Sequence, residues 1–162
     1  VVQEYFQTNQ IYLVDHYLFK EMVQDLLTLR LNNSLFQAIW RTETIESIKI
    51  SLNESLKIED RIEFYEQTGA LRDMGQNHAL EILALMTMEL PKTFNETNIH
   101  QAKLDLLNKI RLVKIEKAIR AQYLGYREEV NNPKSFTETF ARFELNIDNE
   151  RWAKTKIIIE YS

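Results

Sequence analysis

The stretch from Gly69 to Glu89 constrains this chain more than any other. Met74, His78, Ile82 and Leu85 recur at steps of four, four and three, so they share one helical face. Gly69 opens the helix, and Pro91 ends the segment because it cannot continue one. A helix so apolar along one side has to lie against a second layer. Residues 45–52 offer part of it: Ile48, Ile50 and Leu52 alternate with Ser47, Lys49 and Ser51, a period of two that predicts a strand. Residues 115–124, 137–147 and 154–161 alternate as well, with turn signals at Asn131-Asn132-Pro133 and Asp148-Asn149-Glu150. Successive strands with short connections favour antiparallel pairing. The predicted class is α+β, a predominantly antiparallel sheet with helices packed on one face.

The remaining segments are less constraining. Leu18, Met22, Leu26 and Leu29 predict a helix starting at His16, broken at Asn32-Asn33-Ser34. Leu35 to Trp40 is a short apolar piece, 53–61 a loop, and Ile62 to Glu66 a short strand. A linker over 92–98 leads into a helix over 99–110, with Asn98 as its cap. With 162 residues, 44% of them hydrophobic, the chain can bury one core. A net charge of −4 lacks the basic surplus of a nucleic-acid binder. There is no cysteine, hence no disulfide and no thiolate metal site. No apolar run reaches the ~18 residues of a membrane span, and no secretory signal precedes the first elements. With only Gly69, Gly75 and Gly125, no glycine-rich strand–helix turn is available for a dinucleotide.

Two short segments carry chemistry. In Asp15-His16-Tyr17-Leu18-Phe19-Lys20-Glu21, His16 and Lys20 stand four apart, on one face of the predicted helix. A first helical turn exposes unpaired N–H groups. A lysine, an imidazole and a phenol beside it make a seat for a phosphate dianion. The second segment, Gly69 to His78, ends in a histidine on an apolar stripe. Such a histidine is more often a satisfied core residue than a catalyst. Burial nonetheless favours an uncharged ring, the form that accepts a proton. Asp15 would fix its tautomer if the two segments meet.

Taken together and in this order, the two segments resemble glucose-6-phosphate dehydrogenase, a family that reads D-H-Y-L-G-K-E and then G-x-x-R/L-D-x-x-Q-N-H. Further pieces follow the family in order: Glu59-Asp60-Arg61-Ile62-Glu63-Phe64-Tyr65, Leu85 to Pro91, Gln122 to Gly125, Glu138 to Ala141 and Asn149 to Trp152. The resemblance covers nearly the whole chain. It implies that His78 is the general base for the sugar's C1 hydroxyl and that Asp15 orients it. It implies that His16, Tyr17 and Lys20 bind the phosphate of glucose 6-phosphate, while Asp73 and Glu54 bind sugar hydroxyls. Glu54 is placed only by its distance before Asp73.

Three departures stand out. Phe19 replaces a glycine and either narrows the pocket or turns into the core. Leu13 stands where an arginine is frequent, and Ile62-Glu63 replaces a glycine pair. The resemblance further implies that residues 1–162 are one partial domain, the substrate-binding and dimerisation part, without the Rossmann domain that holds most of the NADP. The expected parent is a cytoplasmic oxidoreductase of the pentose phosphate pathway, a homodimer or homotetramer with no nucleic-acid or membrane partner. The isolated fragment is expected to be inactive. Alternatives from other classes are a non-catalytic sugar-phosphate-binding or regulatory relative and a purely structural domain.

Overall fold

The computed structural model describes residues 2–7, 10–11, 14–54, 58 and 61–162. The helices are α1 (Val2–Tyr5), α2 (Glu21–Asn32), α3 (Ser34–Ile39), α4 (Ile62–Ala70), α5 (Leu80–Thr87), α6 (Glu96–Leu107) and α7 (Tyr126–Glu129). A 3₁₀ turn, His16–Phe19, precedes α2, and a π-helical segment, Leu71–Ala79, joins α4 to α5. The strands are β1 (Ser47–Leu52), β2 (Ile110–Leu112), β3 (Ile119–Ala121), β4 (Phe140–Ile147) and β5 (Lys156–Tyr161). They form one sheet in the order β1-β5-β4-β2, with β3 also paired to β4.

The class is α+β, and the sheet is mostly antiparallel. One pairing departs from the expectation: β1 runs parallel to β5, with Ile50 opposite Ile159. The connection between these strands holds most of the chain, so a hairpin geometry is not imposed on them. Ile48, Ile50, Leu52, Ile157, Ile159, Tyr161, Ala141, Leu145 and Ile147 face the helices and are buried. The other face carries a ladder of ion pairs: Lys49 and Arg142 on Glu160, and Lys156 on Glu144. Alternation therefore sorts one apolar face from one charged face. Trp152 and Leu83 lie fully buried in the same core.

Several expected elements are corrected. Residues 62–66 open helix α4 and are not a strand, because Glu66 is held by Tyr126, Asn132 and Ser135 from beyond. The helix expected from His16 is a 3₁₀ turn followed by α2, with extended backbone at Lys20, so His16 and Lys20 do not share one α-helical face. The strand expected over 115–124 shrinks to β3, with a 3₁₀ turn at Ile115–Lys117. Asn95 caps α6 in place of Asn98, accepting the Asn98 N–H at 2.9 Å. The long helix expected from Gly69 does begin there. Gly69 breaks from α4 with φ 71°, and the coil then runs as π-helix before becoming α5.

Candidate functional site

The site forms where the 3₁₀ turn meets the end of the π segment. Asp15 caps that turn: its Oδ1 accepts the Tyr17 N–H at 2.9 Å. The same oxygen stands 2.8 Å from His78 Nδ1. A carboxylate can only accept, so Nδ1 carries the hydrogen of this bond. In the uncharged ring that leaves a lone pair on Nε2. The side chains of His78 and Asp15 are only 8% and 14% exposed, so water competes little for the bond. Asp15 Oδ2 is buried with no hydrogen-bond partner among the described residues.

Two further rings gather over this pair. Tyr17 stacks on His78 with centroids 4.3 Å apart, and His16 stands 4.8 Å from each of them. Lys20 Nζ lies 3.9 Å from the Tyr17 ring centre, a cation–π contact. Among the described residues Lys20 has no ion-pair partner. Tyr17 is buried, and its hydroxyl donates to Glu54 Oε1 at 2.8 Å. Burial foremost, then the bond to Glu54 and the nearby charges of Asp73 and Asp15, push its phenol well above the ordinary range. Glu54 is fixed just past β1, because its N–H donates to Ser162 O at 2.8 Å and extends the parallel ladder.

Asp15, His16, Tyr17, Lys20, Glu54 and His78 thus come together. Asp73 stands at the rim. It pairs with Arg61 at 3.2 Å, and its charge reaches Tyr17 and Tyr65. Arg61 belongs to no expected site set, although the 59–65 segment that resembles the family contains it. Phe19 is 72% exposed, so its ring does not turn into the core. Leu13 lies outside the described residues. Asp15, His16 and His78 offer ligand atoms within 4.8 Å of one another. A zinc tetrahedron has edges of about 3.4 Å. The 2.8 Å Asp15–His78 bond engages one donor atom of each of these two residues, an arrangement suited to proton transfer.

The start of the π segment is fixed by one residue. Glu138 accepts the Leu71 N–H on its side chain at 2.9 Å and the Ala70 N–H on its backbone at 3.2 Å. The positive φ requires glycine at 69, and a Cβ there would stand 2.7 Å from that carboxylate, which would have to shift away from the Leu71 N–H.

Comparison with known proteins bears on this geometry. A family model described as glucose-6-phosphate dehydrogenase, C-terminal domain, matches residues 27–161. Glucose-6-phosphate 1-dehydrogenase of Chlamydia trachomatis is 44% identical over 155 residues, which cover 89% of this chain and 35% of that protein. The crystal structure of glucose-6-phosphate 1-dehydrogenase from Mycobacterium avium superposes with a TM-score of 0.88 at 34% identity, over 99% of this chain and 36% of its own. A glucose-6-phosphate dehydrogenase in complex with its substrate glucose 6-phosphate gives 0.86 at 31%, over 97% of this chain and 34% of its own. The 162 residues therefore span about a third of the length of these relatives.

Proposed function

This chain belongs to the glucose-6-phosphate dehydrogenase family, and from that premise we propose that it supplies the proton-accepting and phosphate-binding half of that enzyme's site. The observation that carries the reading is the 2.8 Å bond between Asp15 and His78, beside a lysine with no ion-pair partner among the described residues. In this reading the whole protein oxidises glucose 6-phosphate to the lactone. His78 Nε2 takes the C1 hydroxyl proton as the carbonyl forms. Asp15 holds the ring in the tautomer that leaves Nε2 open, and stabilises the imidazolium that results.

His16 and Lys20 seat the phosphate. Tyr17 joins them once substrate draws its hydroxyl from Glu54, and Glu54 and Asp73 then take sugar hydroxyls. The hydride half of the oxidation belongs to NADP, held by other parts of the whole protein. Among the described residues no glycine-rich strand–helix turn fits its pyrophosphate. The pairing of Asp15 with His78 tells against a non-catalytic relative.

The same reading treats residues 1–162 as one partial domain of a cytoplasmic enzyme acting in the pentose phosphate pathway. Exposed Ile115, Ile119 and Phe136 beside β3 support a contact between copies in a homodimer or homotetramer. No helix among the described residues is long and apolar enough to cross a membrane. Replacing His78 by Asn in the full-length protein tests the central claim. We expect kcat to fall about 10³-fold with KM for glucose 6-phosphate little changed. Activity within about tenfold of the parent would remove His78 from the role.

A further inference from the structure

His78 owes its orientation to nine residues of π-helix, and what supports that coil lies outside the site. A π-helix bonds each N–H to the carbonyl five residues back and seldom lasts beyond one turn. Its wide coil packs poorly on itself, so neighbours have to hold it. Glu138 holds its beginning. In its middle, Gly75 lies against the ring of Tyr161: a Cβ built at 75 would stand 2.8 Å from Cε1 and 3.4 Å from both Cζ and Oη. The backbone approaches that ring as only glycine permits.

Tyr161 cannot swing aside. It is fully buried on β5, between Leu52 and Ala141 in register, with the Phe143 ring edge-on at 6.5 Å. Its hydroxyl finds no hydrogen-bond partner among the described residues. The ring is therefore placed there by shape. Tightening the coil to an α-helix would turn every later side chain by part of the ~100° that one residue spans. His78, three positions on, would leave the oxygen of Asp15.

We propose that the contact of bare backbone at Gly75 with the Tyr161 ring holds the π register and so aims His78 at Asp15. Gly75 and Tyr161 are then positioning residues, remote from the reacting atoms. The consequence for catalysis rests on the reading of His78 as base; the consequence for orientation does not.

The test uses the full-length protein with Gly75→Ala, Tyr161→Leu and the two combined. Orientation is read from the low-field proton resonance of His78 Nδ1–H, assigned by its disappearance in His78→Asn. Gly75→Ala is expected to lose or shift that resonance and to lower kcat between about 10- and 100-fold, while KM for glucose 6-phosphate moves less than about threefold. In the double variant the ring is gone and the methyl has room, so resonance and kcat recover above either single variant. Should Gly75→Ala fail to fold, Tyr161→Leu carries the test, since it removes the ring without adding bulk at 75. A resonance unmoved in the folded single variants overturns the inference. A His78→Asn protein that stays active would sink the base reading and leave the resonance test standing.

Discussion

One oxygen of Asp15 does two jobs. It caps the 3₁₀ turn through the Tyr17 N–H and it orients His78. Asp15→Asn keeps the shape and removes the charge, and its amide can present a donor to the imidazole. The ring is then free to take the other tautomer, with its hydrogen on Nε2. We expect kcat of the full-length protein to fall on the order of 10²- to 10³-fold with KM nearly unchanged. A fall of less than about threefold would show that Asp15 only caps the turn. The contact of this pair was legible in the sequence through the family resemblance, since the chemistry alone left open whether the two segments meet. The bond of Tyr17 to Glu54 was not. A phenol next to a lysine suits phosphate equally well, and only the ladder that carries Glu54 past β1 to Ser162 brings a competing acceptor within reach.

The end of α5 shows how three distant side chains stabilise one element. A helix leaves its last carbonyls unpaired. Here Arg30 donates to Leu85 O and, at 2.6 Å, to Met88 O; Trp40 Nε1 donates to Met86 O at 2.6 Å, and Trp152 Nε1 to Thr87 O at 2.8 Å. Arg30 is 2% exposed, and burial foremost lowers its guanidinium to about 10. Lysine at this position would keep the charge but cannot reach two carbonyls with a planar fork. Arg30→Lys should therefore cost about 2 kcal/mol, from one buried carbonyl left unpaired. Urea unfolding at neutral pH measures it, and a loss below about 0.5 kcal/mol would mean that water replaces the missing donor. Pro91 announced that the helix stops, while nothing in the local pattern names the donors that close it. The π segment was hidden for a related reason. Steps of four, four and three fit α- and π-coils alike over so short a run, and the choice is made by Glu138 and Tyr161, far away in sequence. For helix α4, Ile62, Phe64 and Tyr65 suit a strand, and what selects the helix is Glu66 bound to Tyr126, Asn132 and Ser135.

At the scale of the whole molecule, phenols set the alkaline limit. Tyr17, Tyr65, Tyr126 and Tyr161 are all held well above the ordinary tyrosine range, and Tyr123 is pushed up to about 12. Burial is the first cause in each, and for all five neighbouring carboxylates add to it: Glu54 for Tyr17, Asp73 for Tyr65, Glu129 for Tyr123, Glu66 for Tyr126 and Glu138 for Tyr161. The folded chain therefore keeps protons that the unfolded chain releases above the ordinary value of 10.0. Stability falls wherever the native state binds more protons than the unfolded one. The contribution of these groups is thus complete below about pH 10 and is lost as pH rises through about 12 and beyond. Melting temperature should be flat in this respect up to about pH 9.5 and drop by several degrees by about pH 11.5. Tyr5 and Tyr123 are exposed, but the share of tyrosinate absorbance that belongs to buried Tyr17, Tyr126 and Tyr161 should rise together with unfolding, not before it, because these phenols ionise only when the core opens. Tyr126→Phe provides the internal check. It removes one such proton, so its melting temperature should decline less steeply over the same window even though the variant starts lower for want of the bond to Glu66. Tyr17, Tyr126 or Tyr161 titrating freely near the ordinary value in the folded protein, or a Tyr126→Phe slope equal to the parent's, would assign the alkaline limit to the lysine-bearing ion pairs on the opposite face of the sheet.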